Sequence, residues 1–327
     1  MAIRLSKIVL AAALLLGAAL FFSSESRAGS CCGGGGASAL VLPKFSQGLV
    51  DLSFDSEKYH GFWNQDGKYT PDAPGSDLGQ YRLNIGIAKR IAPRWQASMS
   101  MPYIWNINKY SGLSSRTDGL GDTAINLWYE TYDRPRSVMS VSDWEDLLPT
   151  ITIGTSLTVP TGISAYDNVQ SSFDVTGRGF YRVDANALVD KTIHPVTISL
   201  LLSYGMYLER PVDREYGKYV QPYNKKLGDR MLGTLALGYI SYLESRKVLT
   251  YTVSFSALQE AEGQINGEHD PTTGFRKESV AGTIALSSVD SDWTYKISWS
   301  HAIKEDGWGR NFPTTDITTL GVSYGFR

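Results

Sequence analysis

Cysteine is nearly absent from this chain of 327 residues: the only two sit side by side at Cys31-Cys32, directly before Gly33 to Gly36. With no cysteine elsewhere, no disulfide can staple the remaining fold. The pair reads either as thiols for a soft metal or a redox partner, or more plainly as part of a flexible mature N-terminus. A metal site usually needs three or four ligands, and no histidine lies near in sequence to complete one. No cofactor is expected. Long apolar runs are missing too: past residue 28 no stretch reaches the roughly 18 apolar residues of a spanning helix. Charge of one sign is also lacking, with 31 Lys and Arg against 33 Asp and Glu. That balance argues against a nucleic-acid partner, whose phosphates favour a strongly basic surface.

What is present begins with an export signal. Arg4 and Lys7 precede an apolar run from Ile8 to Phe22 and the small-residue pattern Ser26-Arg27-Ala28, which predicts cleavage after Ala28. A competing cut would leave Cys31 as a lipid-modified N-terminus, but Ala28-Gly29-Ser30 lacks the large aliphatic residue such signals carry. The expected organisation is therefore a signal peptide over 1–28, a flexible Cys/Gly-rich segment over 29–45 and a single domain over 46–327.

Within that domain every second residue is apolar over successive segments. The period of two is that of a strand with one face in an apolar medium. Alternation predicts strands at 46–56, 79–90, 94–105, 121–132, 149–160, 178–190, 195–209, 228–242, 247–260, 278–288 and 292–304, with a terminal strand through Thr318-Leu320-Val322-Tyr324-Phe326. Val196, Ile198, Leu200, Leu202, Tyr204, Met206 and Leu208 alternate without a break. The connections run long and short in turn, with 133–148 longer than the rule, so short turns fall on the periplasmic side and long loops outside. The expected fold is all-β: a transmembrane antiparallel up-and-down barrel of about twelve strands in a Gram-negative outer membrane, since only closure satisfies every backbone group in lipid. Aromatics gather where the interfaces fall: Trp95, Tyr129, Tyr251, Trp293, Tyr295 and Tyr324 at one end, Tyr81, Tyr103 and Trp299 at the other.

The opposite phase is polar. Arg82, Asn84, Glu130, Arg182, Asp184, Asn186, Arg230 and Lys296 fall on it. A charge facing lipid at mid-depth costs about 2–4 kcal/mol, so these groups are expected to face the lumen. There they either pair and fill a polar core or line a path and set its selectivity. Twelve strands lie between barrels whose side chains fill the interior and wider ones that leave a channel.

Three short motifs carry a resemblance: Asp118-Gly119-Leu120-Gly121-Asp122, Met101-Pro102-Tyr103, and Leu157-Thr158-Val159-Pro160-Thr161-Gly162. They resemble recurrent motifs of the outer-membrane family named for the meta-pathway of phenol degradation, similar in outline to the hydrocarbon-uptake barrels. The resemblance implies import of small, poorly soluble organic compounds, aromatic ones included, with outer-membrane lipid and a small solute as partners. Two other classes stand beside it. A scaffold barrel would hold a periplasmic redox protein, using the cysteine pair and Arg134, Arg136, Trp144 and Glu145 of the 133–148 connection. An outer-membrane hydrolase would need a histidine and serine within reach and a third group orienting the histidine. The histidines are His60, His194, His269 and His301, and no local motif joins one to a serine.

Overall fold

The computed structural model describes residues 40–326 except 45, 111, 134–136, 245 and 289–290. The signal segment, Cys31-Cys32 and the Arg134 and Arg136 of the scaffold reading lie outside the described residues.

Twelve strands form one closed antiparallel barrel. They are β1 (Gly48–Trp63), β2 (Asp77–Ala92), β3 (Trp95–Tyr110), β4 (Thr123–Glu130), β5 (Thr150–Val159) and β6 (Arg182–Ile193), then β7 (Val196–Tyr207), β8 (Arg230–Tyr242), β9 (Lys247–Glu260), β10 (Phe275–Ser288), β11 (Ser291–Ala302) and β12 (Phe312–Phe326). Each pairs with its sequence neighbours, and β12 returns to β1 from Gly48↔Phe326 to Trp63↔Phe312. That seam leaves the barrel no open edge of the kind that cannot exist in lipid.

The alternation sorts the side chains as the pattern predicts. Val50, Leu52 and Phe54 of β1 and Val196, Ile198, Leu202 and Tyr204 of β7 are exposed on the outside, while Asp51, Ser53 and Glu57 are buried on the inside. Ring pairs mark the rims: Trp95 with Tyr129 and Trp293 with Tyr324, each at 4.9 Å, at one end, and Phe54 with Tyr81 at 6.1 Å toward the other. The inside is not uniformly roomy. Trp128 of β4 is fully buried there, and a Cβ at Gly154 on β5 would lie 2.5 Å from its ring, so only glycine fits opposite it.

At the outer end β1, β2, β3, β10 and β12 run further than alternation predicts, while β4, β5, β6, β7, β8 and β11 stop one to four residues short of it. β1 continues to Trp63, past a bulge at His60 where Gly61 adopts φ 147°. The expected long loop over 106–120 is instead a hairpin: β3 reaches Tyr110, and Leu113–Leu120 pairs back along it from Tyr110↔Leu113 to Tyr103↔Leu120. Beyond the lipid an outward side chain need not be apolar, so backbone pairing continues where the sequence pattern stops.

At the periplasmic end the described residues of the long 131–149 connection carry local structure. Ser137–Val138 lies parallel to the end of β6, and Asp146 accepts the backbone N–H groups of Ser142 (2.8 Å) and Asp143 (3.3 Å), which hold its carboxyl below the usual range.

Candidate functional site

The interior is lined by ion pairs in separate groups. On β1 and β2, Asp55 stands opposite Arg82 and Glu57 opposite Gln80. The Arg82 guanidinium, 3% exposed, donates through Nη1 to Glu57 and to Gln80 Oε1 (2.7 Å), and through Nε to Asp55 (3.3 Å). Asn84 Nδ2 donates to Asp55 at 2.9 Å, and Lys277 brings a second cation to Glu57 while donating to Thr315 at 2.7 Å.

A second group crosses four adjacent strands at one level. Asp184 of β6 faces Gly205 of β7, Gly205 faces Arg230 of β8, and Arg230 faces Glu260 of β9. Arg182 Nε donates to Asp184 at 2.8 Å and its Nη1 to the Tyr207 hydroxyl at 3.3 Å. Glu260 accepts from Arg178 Nη2 at 2.5 Å. Arg178 belongs to the 160–181 connection, and both it and Arg182 lie over the Tyr207 ring, at 5.7 and 5.5 Å. The Arg230 side chain makes no hydrogen bond or salt bridge within 4 Å among the described residues; the charges of Arg182 and Arg178 crowd it, and Tyr207 and Glu260 oppose them. A cation so placed repels its neighbours and attracts an anion.

The 160–181 connection folds into the barrel mouth instead of standing outside. Asn106 and Asn108 of β3, both buried, donate to the carbonyls of Val175 (2.9 Å) and Phe173 (3.0 Å). The three motifs singled out in the sequence meet here. Gly121 N–H donates to the Pro102 carbonyl at 2.8 Å, and Thr161 Oγ1 donates to the Gly121 carbonyl at 2.6 Å. The Asp122 carboxylate accepts N–H groups from both ends of the loop, Gly162 (3.2 Å) and Arg178 (2.7 Å). Asp122 thereby fixes the backbone that delivers Arg178 to Glu260. Asp122→Ala would strand two part-buried N–H groups at about 1–3 kcal/mol each. The expected result is faster protease cleavage between residues 162 and 178 and a higher open-channel conductance; an unchanged digestion pattern would show that the clasp does not hold the loop.

No family model and no curated protein matches the sequence. Among solved structures, an outer-membrane channel from Pseudomonas putida F1 superposes with a TM-score of 0.64 at 12% identity, over 89% of this chain and 99% of that one. The chain shares the fold of an outer-membrane channel. The β domain of the Bordetella autotransporter BrkA is similar at a TM-score of 0.49 and 11% identity, over 86% of this chain and 100% of that one. At such identities the likeness concerns the fold alone.

In this channel fold the periplasmic end is occupied. The Glu130 carboxylate, fully buried, accepts from Lys44 Nζ (2.5 Å), Gln96 Nε2 (3.1 Å) and both Arg90 Nη atoms (2.9 and 3.0 Å). Lys44 belongs to the segment 40–44 ahead of β1, whose Leu42 is 2% exposed and donates its N–H to Gln96 Oε1. Leu40 lies over Gly86, where a Cβ would come within 2.2 Å of its Cδ1. These residues, the end of the stretch expected to be flexible, thus run against the inner wall.

The eight polar residues named from the sequence therefore lie in several places. Arg182, Asp184 and Arg230 come together; Arg82 and Asn84 share Asp55; Asn186 donates to Ser156 at 2.7 Å; Lys296 pairs with Asp51 at 2.8 Å; Glu130 anchors the N-terminal segment. Sequence reasoning missed Asp55 and Glu57, although both stand on the inward phase of β1, and Arg178, which has no periodic signal because it lies in a loop. Ser137 Oγ lies 2.9 Å from His194 Nε2 at the periplasmic turn, but the ring's Nδ1 meets the Tyr242 hydroxyl at 3.2 Å, not a carboxylate.

Proposed function

We propose that this protein is an outer-membrane channel, not an enzyme, that takes up small organic molecules, aromatic ones among them, through a narrow charged lumen. The observation that carries the proposal is the inward cluster of Arg182, Arg230 and the loop residue Arg178 around the carboxylates of Asp184 and Glu260 in a closed barrel. Three guanidiniums against two carboxylates leave net positive charge for a solute to meet. The motif resemblance to the phenol-degradation family supports an aromatic or otherwise poorly soluble substrate, and the fold supports an outer-membrane location. Arg82, Asn84, Glu130, Asn186 and Lys296 line the remainder of the path in this reading, and the clasped loop and the segment 40–44 narrow it at its two ends.

The test is the Arg182→Ala, Arg230→Ala double variant in planar bilayers. Loss of two lumen cations should shift ion selectivity toward cations and change conductance by roughly twofold or more. Unchanged selectivity and conductance would remove these residues from the path. A second reading, a barrel that docks a periplasmic protein, draws support from Met139 and Trp144, 75% and 68% exposed on the periplasmic connection. In that case replacing both by Ser would abolish co-purification of the partner and leave conductance intact.

A further inference from the structure

The outer mouth holds a cavity of about 360 Å³ where the top of β1 meets the loop tip Ser172-Phe173 and the start of β12. Rings dominate its lining: Tyr59, Phe62, Trp63, Tyr110, Phe173 and Phe312. Tyr110 and Phe173 approach each other at 5.9 Å, joining β3 to the loop on one wall. At this volume, near the lower end of ligand pockets, it suits a molecule of one or two rings.

Asn64, Gln65, Ser172, Asn311 and Asp72 interrupt the apolar lining; Asp72 is its only ionisable carboxylate, and two of the amides are already engaged. Asn64 Oδ1 accepts the N–H groups of Asp66 and Lys68, and Asn311 Nδ2 donates to the Gly274 carbonyl at 2.9 Å. Asp72 is half-buried and makes no side-chain hydrogen bond or ion pair among the described residues. Burial pushes its carboxyl up from the ordinary range, against a weaker opposing pull from His60. His60 is itself paired to Asp316 at 2.7 Å. Below the cavity the inner face of β1 continues with Glu57, Asp55, Ser53 and Asp51, whose carboxylates are paired with Arg82, Lys277 and Lys296.

We infer that this cavity is a capture site for small aromatic amines, with the ring against the aromatic lining and the ammonium on Asp72. A neutral aromatic would dehydrate the carboxylate further without pairing it, and an aromatic carboxylate would add like charge. An ammonium pairs with Asp72 and is also attracted to the faces of the surrounding rings. The inference rests on the proposed uptake reading only for passage, where a captured amine meets the Arg178, Arg182 and Arg230 cations and crosses as the neutral amine; binding itself is measured without transport.

The experiment is isothermal titration of the refolded full chain in detergent micelles, with empty micelles as the blank. The three probes share a phenyl ring: 2-phenylethylammonium, 2-phenylethanol and 3-phenylpropionate. The ammonium should bind most tightly and the carboxylate most weakly. Asp72→Asn should weaken the ammonium about tenfold and leave the alcohol within about twofold, as expected for loss of one charge-assisted contact. Asp66→Asn, an exposed loop carboxylate outside the cavity, should change neither, and Phe173→Ala should weaken both. Equal binding of ammonium and carboxylate, or an ammonium affinity untouched by Asp72→Asn in a variant that keeps the folded barrel's gel mobility, overturns the site. Proteoliposome uptake separates the two readings: Asp72-dependent binding without uptake upholds the site and sinks the transport reading, while uptake without Asp72-dependent binding does the reverse.

Discussion

Leu202→Arg is expected to prevent stable insertion of the refolded barrel, whereas Ser203→Arg, one residue along the same strand, is expected to insert. Both positions lie at the middle of β7, opposite Gly233 and Leu232 of β8, so depth in the bilayer is the same for the two. Only the face differs. Leu202 is 47% exposed in line with Ile198, Tyr204 and Met206 on the outside, and Ser203 points the other way, between Asn186 and Leu232. An arginine toward hydrocarbon at this depth costs about 2–4 kcal/mol, a large share of a marginal stability. One toward the lumen meets Asn186 and Leu232 instead of hydrocarbon and can reach water. The check is the fraction of folded, heat-modifiable protein after dilution from urea into lipid vesicles. Equal folding yields for the two variants would mean that the faces are wrongly assigned.

Arg82→Met should be the most damaging substitution inside the barrel. Glu57 is 1% exposed and Asp55 stands beside it, so removing the guanidinium leaves two adjacent carboxylates with, among the described residues, Lys277 as the cation at Glu57 and only the neutral donors Asn84 and Thr319 at Asp55. Breaking a buried pair from one side costs on the order of 3–5 kcal/mol, while replacing both partners by apolar groups is often close to neutral. Accordingly the double variant Arg82→Met, Glu57→Met should recover most of the loss, in urea unfolding from vesicles with the slope unchanged. A single variant that loses less than about 1 kcal/mol would place the network in effectively aqueous surroundings.

The membrane-crossing part of the fold was legible because lipid imposes a rule on every second residue. Where the rule holds, as over Val196 to Tyr204, strand, face and register come from the sequence with little else. It fails at Leu113–Leu120, whose pairing with β3 lies where the outward side chains need not be apolar. The inward phase identified Arg82, Arg182, Asp184 and Arg230 as lumen groups, but not which of them meet. Partners across a barrel are set by strand stagger and by loops, and Arg178 reaches Glu260 only because Asp122 fixes a loop that carries no periodicity. The three motifs first noted for their resemblance have a shared physical use at that clasp, visible only once Pro102, Gly121 and Thr161 are brought together. The segment 40–44 was equally hidden, since Lys44 gives no local sign that its partner is Glu130.

Conduction of small solutes through the charged interior is what the proposed function asserts. Single-channel recording of the refolded protein in planar bilayers, with and without a small aromatic solute, reads it out without intermediaries. Small discrete conductance steps that the aromatic blocks reversibly are the expected result. A correctly folded barrel that inserts and remains electrically silent would show that the interior is not a path.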